Sequence, residues 1–291
     1  MQNRRRLFIA NVDRYDEYYI GKLLSETLTG SSVKQEENEA LEESESLAEG
    51  AKQGETYEIF GTLSKSEAVP PSFVNEVFPS GRRKELYEAV VNCDFILYNI
   101  KDDPEMVDEA LWMVEKIHEN IAQLQTQKLF ILLSSVLTWA KSAFPDENDP
   151  ELPFADEDYR KRKPHHNFRD HIQVEKSTIH YGKTDKLKLL TYVVASGATY
   201  GEKQNVFHYF FKNAWNNDQF LHVLEDGQNI LPTIHVNDLA KIIQTVIELR
   251  PTKHYIIAKD DSQNTLYEIV KGGYTPPAGY SGESNHLRHT Y

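Results

Sequence analysis

Residues 128–139, KLFILLSSVLTW, decide the fold of this chain. Five consecutive apolar residues at 129–133 lead into Ser134 and Ser135 with no polar alternation. A short apolar run that ends in small hydroxyl residues is typical of a strand buried on both faces of a parallel sheet. Ligands of open α/β sheets bind beyond the carboxyl ends of the strands, so we predict any functional site at Ser134 and Ser135.

Strand and helix patterns alternate on both sides of this central strand. The other predicted strands cover residues 7–11, 56–63, 93–99, 187–195, 221–226, 230–234 and 254–258. The predicted helices cover residues 20–28, 84–92, 104–123, 159–180, 205–215, 238–249 and 265–270. Residues 64–83 are predicted as a loop, 196–202 as a turn, and Asp226–Gly227 as a turn between two strands. The alternation predicts an α/β fold with one doubly wound parallel sheet, and not two domains.

Two segments differ in composition from the rest of the chain. Residues 36–49 hold seven glutamates and no basic residue, which predicts an acidic, disordered or weakly helical loop over 31–56. It is either a solvated linker or a partner contact. The end of the chain is rich in Gly, Pro, Ser and His. We therefore predict one Rossmann-like domain over residues 1–271 and an irregular tail over 272–291.

Composition argues against several classes of function. The net charge of −13 disfavours nucleic acid or an acidic membrane surface as a partner. The single cysteine, Cys93, excludes an internal disulfide and is predicted to be a core residue in a reducing compartment. No apolar run reaches membrane-spanning length, and the apolar run near the amino end is too short for the core of a signal peptide. We expect a soluble, cytoplasmic protein.

Four segments together resemble the extended short-chain dehydrogenase/reductase (SDR) family. They are YIGKLL at 19–24, LLSSV at 132–136, SGATYG at 196–201 and PTIHVNDLA at 232–240. The resemblance covers about residues 7–270 and implies a Rossmann-like domain whose family binds NAD(P) at a glycine-rich first turn. The family also uses a serine and a tyrosine that stands four residues before a lysine.

The resemblance fails where the family's chemistry would be. The first turn, NVDRYDEYYIG at 11–21, keeps only Gly21, and Tyr15 and Tyr18 stand where phosphate-side glycines are needed. Lys176 is the candidate catalytic lysine, but Ile172 stands four residues before it, so no phenol is available. We predict no NAD(P) bound in the usual way and no catalytic residue.

A non-standard nucleotide pocket is the alternative to this interpretation. Its candidate binding residues are Gly21, Ser134, Ser135 and Lys176, of which Ser135 and Lys176 are also the vestigial catalytic candidates. Ser135 without a proton donor is predicted to cap the end of its strand. Five histidines show no metal-ligand spacing and are predicted to be surface residues. One of them, His235, is predicted to fix a strand-to-helix turn together with Asp238. These five are His165, His166, His171, His180 and His235.

Other segments resemble a narrower branch, the amino-terminal region of a ciliary, multidomain member of the adenylate kinases. They are KLFILLSSVLTWA, PFADEDYRKRKPHHNF, HIQVEK, LPTIHVNDLA and the glutamate-rich insert. The resemblance implies axonemal protein partners in the motile cilium. The sequence contains no Gly-x-x-x-x-Gly-Lys loop, so ATP and AMP are expected to bind only in a kinase domain that this sequence lacks. We expect a truncated or naturally short product.

The basic stretch YRKRK at 159–163 leaves several interpretations open. It is either a solvated, partly helix-capping cluster or a contact for an anion, for an acidic partner, or for the chain's own acidic insert. Two function classes therefore remain. The first is a non-catalytic scaffold with a Rossmann-like fold, and the second is a nucleotide- or NAD(P)-binding protein.

Overall fold

Seven strands form one parallel sheet in the computed structural model. They are β1 (Arg6–Ile9), β2 (Glu58–Gly61), β3 (Val74–Val77), β4 (Phe95–Asn99), β5 (Lys128–Ser135), β6 (Leu189–Ser196) and β10 (Tyr255–Ala258). Their order across the sheet is β10-β6-β5-β4-β1-β2-β3. The chain winds in opposite directions from β1, so the gap between β1 and β4 is the topological switch point.

The structure describes residues 5–32, 55–146, 148–149, 152, 154, 156–202, 207–216, 221–224, 226–272 and 287–290. Most of the predicted acidic loop, at 33–54, lies outside these residues, as does most of the predicted tail. Two short parallel pairs complete the strands. They are β7 (Ala198–Tyr200) with β9 (Thr233–His235), and β8 (Leu221–Leu224) with β11 (Leu287–Thr290).

Helices cover both faces of the sheet. They are α1 (Tyr15–Glu26), α2 (Arg83–Val90), α3 (Pro104–Glu119), α4 (Arg169–Tyr181), α5 (His208–Trp215), α6 (Val236–Leu249) and α7 (Leu266–Gly272). Short 3₁₀ turns lie at 121–123, 136–139, 156–160 and 166–168. Apolar residues of α1 and α6 share one core with β1 and β2, and those of α2, α3 and α4 form the core on the opposite face. The predicted doubly wound parallel sheet is therefore confirmed.

The burial of individual residues explains these elements. Every residue of β5 is buried, as its unbroken apolar run predicts for a central strand. Cys93 is also buried, and burial raises the pKa of its thiol to about 12, which makes it an unreactive core residue. The carboxylate of Asp103 accepts a hydrogen bond of 2.9 Å from the amide of Glu105 at the start of α3, and Pro104 occupies the first helical position.

Four predicted elements require correction. The loop predicted at 64–83 contains β3, an edge strand whose residues are only half-buried or exposed and so give a weak apolar pattern. The predicted turn at 196–202 contains β7. The two strands around Asp226–Gly227 do not pair with each other, since β8 and β9 each pair with a strand distant in sequence. The helix predicted over 159–180 begins only at Arg169, because Pro164 and the turns before it interrupt the helical backbone.

The structure describes only part of the tail predicted at 272–291. Residues 287–290 of the predicted tail form β11, and most of the rest of the tail lies outside the described residues. Among the helices that the structure describes, none has the length and apolar character needed to cross a membrane.

Candidate functional site

A cleft of about 310 Å³ lies at the topological switch point, beyond the carboxyl ends of β1 and β4. Its lining residues are Arg14, Tyr15, Asp16, Glu17, Asn99, Asp102 and Asp103. The first helix, α1, begins at this cleft, and its first turn carries Asp16 and Glu17. In this fold the switch point is the position that binds dinucleotides, with the pyrophosphate at the amino end of the first helix. We call this space the switch-point cleft.

One lining residue of the switch-point cleft, Asp16, belongs to a buried ion pair. Lys101 Nζ lies 2.8 Å from Asp16 Oδ2, and the two side chains are only 7% and 3% exposed. The Asn99 side-chain amide donates to the same carboxylate oxygen at 3.4 Å, and Lys101 Nζ also reaches Thr199 Oγ1 at 3.4 Å. The second oxygen of this carboxylate, Asp16 Oδ1, is buried without a hydrogen-bond partner among the described residues. The protein's own charges thus occupy the phosphate side of the cleft.

Glu17 adds a buried carboxyl group next to this pair. Burial, followed by the charge of Asp16, raises the pKa of Glu17 from 4.5 to about 8. Hydrogen bonding to its own backbone and to Asn99, and the charge of Lys101, oppose this rise only in part. Glu17 is therefore mainly protonated at neutral pH.

Tyr15 and Arg14 close the amino end of α1. The Tyr15 hydroxyl donates a hydrogen bond of 2.7 Å to the carbonyl oxygen of Gly201, and its pKa is raised by burial and by the charge of Asp16. Arg14 forms an ion pair of 2.7 Å with Asp103. A tyrosine ring in place of a glycine prevents the close backbone approach that a pyrophosphate requires.

The residues of the cleft do not fit an NAD(P) cofactor. A dinucleotide needs open backbone amides at the helix start, and its phosphates carry negative charge. Here a buried aspartate with an unsatisfied oxygen, a second carboxyl and a bridging tyrosine take that position. This agrees with the sequence-based expectation that the usual cofactor turn is lost.

A second buried polar cluster lies at the carboxyl end of β5. Ser134 Oγ donates a hydrogen bond of 2.5 Å to Glu175 Oε1, and Glu175 forms an ion pair with Arg162. The side chains of Arg162 and Glu175 are 2% and 0% exposed, and the Arg162 guanidinium lies 4.8 Å from the centre of the Tyr255 ring. Arg162 belongs to the YRKRK stretch. The interpretation of that whole stretch as solvated therefore requires correction, because this one arginine neutralises a buried carboxylate.

The predicted site residues separate into different environments. Ser135 Oγ accepts a hydrogen bond of 3.2 Å from the amide of Leu137, so Ser135 is the strand-end cap that the sequence predicts. Lys176 is exposed on α4, and the structure does not bring it to Ser134. The inward residue is Glu175, one position earlier, because adjacent helical residues point about 100° apart.

Gly21 lies on α1 and serves packing. A Cβ atom at this position would lie 2.8 Å from the Phe73 ring and 3.2 Å from Ile9 Cδ1. The glycine thus allows α1 to approach the sheet closely. This is the role of the helix-packing glycine in the first turn of dinucleotide-binding folds.

Sequence reasoning missed a pair of inward residues on α4. His171 and Glu175 are both buried and stand four residues apart, which is the spacing of the SDR family's tyrosine and lysine. His171 Nε2 lies 2.6 Å from the carbonyl oxygen of Ile100, and burial lowers the pKa of the imidazole. His171 therefore donates as a neutral ring, and its prediction as a surface residue is wrong. The buried positions 171, 174, 175, 178 and 179 share one helical face, and that periodicity was the available signal.

This pair cannot replace the family's proton donor. A lysine lowers the pKa of a neighbouring phenol through its positive charge, whereas Glu175 carries no positive charge and is already paired with Arg162.

The prediction that His235 fixes a strand-to-helix turn is confirmed. Its Nδ1 accepts a hydrogen bond of 3.2 Å from the amide of Asn237 and caps α6. Asp238 does not share this role and instead forms an ion pair of 3.1 Å with Lys241. In the part of the chain that the structure describes, no cluster of acidic, cysteine and histidine side chains could hold a metal ion.

The sequence is similar to adenylate kinase 7 of two mammals. It is 47% identical over 182 residues to the protein of Mus musculus, a match that covers 62% of this chain and 30% of the mouse protein. It is 46% identical over 101 residues to the protein of Macaca fascicularis, which covers 34% of this chain and 19% of that protein. The chain thus spans less than a third of the length of these relatives. No protein-family model matches the sequence.

Solved structures with a similar fold include a dehydratase and an epimerase of nucleotide sugars. The dTDP-glucose 4,6-dehydratase of Bacillus anthracis, solved in complex with NAD, matches with a TM-score of 0.63 and 13% identity over 98% of this chain and 84% of that one. The UDP-glucuronic acid 4-epimerase of Bacillus cereus, solved with UDP-glucuronic acid and NAD, matches with a TM-score of 0.62 and 12% identity over 98% and 85%. At such identities the likeness shows the fold alone, which is the extended SDR-like fold.

Proposed function

We propose that this chain, similar to part of adenylate kinase 7 and folded like an extended SDR protein, is a non-catalytic module of a ciliary adenylate kinase. It acts as a protein-interaction scaffold of the motile-cilium axoneme. Phosphotransferase chemistry with ATP and AMP belongs to a kinase domain outside the region that matches here. The observation that carries the proposal is the buried Lys101–Asp16 ion pair, with Glu17 beside it, in place of a phosphate-binding turn.

The charges of the switch-point cleft oppose a bound nucleotide. Two like charges 4 Å apart repel each other by about 4 kcal/mol at an effective dielectric constant of 20. Micromolar binding corresponds to about 8 kcal/mol. Lys101 already neutralises Asp16, so a phosphate could gain from this lysine only by drawing it away from its buried partner. The phosphate would then lie beside an unpaired Asp16 carboxylate and lose roughly half of that free energy.

The catalytic side of the fold supports the same proposal. Ser134 is bonded to Glu175, Ser135 caps a turn, and the inward pair on α4 is a histidine and a glutamate. None of these groups supplies a phenol next to a lysine. The alternative function, a nucleotide- or NAD(P)-binding protein, needs a binding mode that uses neither the glycine turn nor this pair.

Titration of the purified chain with nucleotides tests the proposal. NAD⁺, NADH, NADP⁺, NADPH, AMP and ATP are added up to 1 mM, with calorimetry and the melting temperature as readouts. A ligand with a Kd of 10 μM would then stabilise the fold by about 2.7 kcal/mol, which is several degrees in melting temperature. We expect neither heat nor a shift with any of the six.

Micromolar binding of any of these nucleotides would overturn the scaffold proposal. Lys101→Met then tests whether the ligand occupies the switch-point cleft, and Lys176→Met is the matched control on the exposed face of α4. Loss of binding in the first variant alone would place the nucleotide in the cleft. Loss in the second alone would place the nucleotide at the exposed face of α4 instead.

A further inference from the structure

We infer that a pocket at the amino end of β10 binds a glutamate- or aspartate-rich segment of a partner protein. Three parts of the chain line this pocket: the turn at 159–160, the carboxyl end of α4, and the residues that lead into β10. The lining residues are Tyr159, Arg160, Ile179, Lys183, Thr252, Lys253, His254 and Tyr255. We call this space the basic pocket. The inference rests on the proposed function and deepens it, because it assigns a contact site to the scaffold.

The charge of the basic pocket is opposite to that of the whole chain. Arg160, Lys183 and Lys253 line the pocket and are exposed, and no acidic residue that the structure describes belongs to the lining. The chain as a whole has 45 acidic residues against 32 lysines and arginines. Asp158 precedes this lining in sequence, but its carboxylate lies 4.0 Å from the ammonium of Lys161. Charge complementarity therefore points to carboxylates as the ligand groups.

Stacked aromatic rings give the basic pocket a wall that belongs to the core. The rings of Tyr159 and Tyr255 lie 4.9 Å apart between centres, with their planes 10° from parallel. The buried Arg162 guanidinium lies 4.8 Å from the centre of the Tyr255 ring and is paired with Glu175. The position of the wall is therefore set by a buried ion pair. A bound side chain can pack its apolar part on these rings while its charge meets the cations.

Carboxylates of a protein segment suit the basic pocket better than a phosphate group does. The pocket lies at the carboxyl end of α4, where helix carbonyl groups carry partial negative charge, whereas phosphates bind at the amino ends of helices. Its volume of about 280 Å³ is just below the range of small-molecule pockets, so it suits one or two side chains. Cations on three separate parts of the chain match several charges spaced along a peptide.

Nuclear magnetic resonance titration of the isotopically labelled full chain tests this inference. The probe is the peptide acetyl-Gly-Glu-Glu-Glu-Gly-amide, and the matched peptide carries three glutamines in place of the glutamates. We expect shifts of the amides at 159–160, 183 and 252–255 with the glutamate peptide only, at millimolar affinity. Binding should weaken by at least threefold between about 50 mM and about 300 mM sodium chloride, because salt screens exposed charges. Inorganic phosphate at the same ionic strength should bind more weakly than the peptide.

Three variants locate the contact. Lys183→Met and Lys253→Met keep an unbranched side chain and remove the charge. Each should weaken binding of the glutamate peptide by about two- to fivefold, which is the range of one exposed ion pair. Lys176→Met removes an exposed lysine of α4 that does not line the pocket, and it should leave binding unchanged. Melting curves verify that each variant is folded.

Several results would overturn the inference. They are equal shifts with the glutamine peptide, no binding of the glutamate peptide, affinity that does not change with salt, undiminished binding in both pocket variants, an equal loss in Lys176→Met, or tighter binding of phosphate than of the peptide. The scaffold proposal fails on a different result, which is micromolar binding of a nucleotide. A chain silent toward both the peptide and the nucleotides would refute the acidic-segment site and leave the scaffold proposal standing.

Discussion

The substitution Glu17→Gln tests the electrostatics of the switch-point cleft most directly. Because the pKa of Glu17 is raised from 4.5 to about 8 in the folded protein, the folded state binds more protons than the unfolded state between these values. The contribution of this group to stability is fully present below pH 4.5 and is lost as the pH rises through about 8. At about 1.4 kcal/mol per pH unit, the whole window corresponds to about 5 kcal/mol.

Glutamine resembles the protonated carboxyl and does not titrate. We therefore expect the variant to exceed the natural chain in free energy of unfolding by an amount that grows by about 4 kcal/mol between pH 5 and pH 9. Guanidinium chloride unfolding, followed by circular dichroism, measures this difference. Glu26→Gln is the matched control, since Glu26 is an exposed residue of the same helix. Its difference from the natural chain should stay within about 0.5 kcal/mol at each pH.

A pH-independent difference for Glu17→Gln would refute the reasoning. It would mean that Glu17 is ionised in the folded protein at neutral pH, so burial would not dominate its pKa.

The two other predictions concern the buried Arg162–Glu175 ion pair and the packing glycine, Gly21. Arg162→Ala leaves the carboxylate of Glu175 buried without its partner, and we expect a loss of about 3–5 kcal/mol in the free energy of unfolding. Gly21→Ala places a Cβ 2.8 Å from the Phe73 ring, which must shift, and we expect a loss of about 1–3 kcal/mol.

Each of these substitutions has a matched control. Arg160→Ala removes an exposed arginine from the same basic stretch, and Gly272→Ala adds a methyl group where no atom lies within 4 Å. Both controls should change stability by about 0.5 kcal/mol or less in the same unfolding measurement. Equal effects of Arg162→Ala and Arg160→Ala would contradict a special role of the buried pair.

Local sequence patterns predicted the parallel sheet because they report burial. The apolar run of β5 has no polar alternation, and only a strand covered on both faces permits this. The same logic failed for β3, whose edge position leaves its apolar residues half-exposed. The pairing of β8 and β9 was missed because strand partners are chosen by the whole sheet topology and not by proximity in sequence.

For the candidate site, the sequence could predict only that the usual phosphate-binding turn is lost. The first turn, with Tyr15 and Tyr18 in place of glycines and the acids Asp16 and Glu17 between them, predicted the loss of the usual phosphate site from sequence alone, since backbone approach and charge are local properties. What replaces that site depends on partners distant in sequence. Lys101 reaches Asp16 across 85 positions.

Sequence by itself determined which residues are apolar enough to form the sheet and which glycines are missing. Tertiary structure alone decided which charged residues are buried. Arg162 and Arg160 belong to the same basic stretch, yet one is enclosed with Glu175 and the other is exposed. The physical reason is that the cost of burying a charge depends on the partner that the fold brings to it. That partner is set by the packing of distant elements, which no local pattern records.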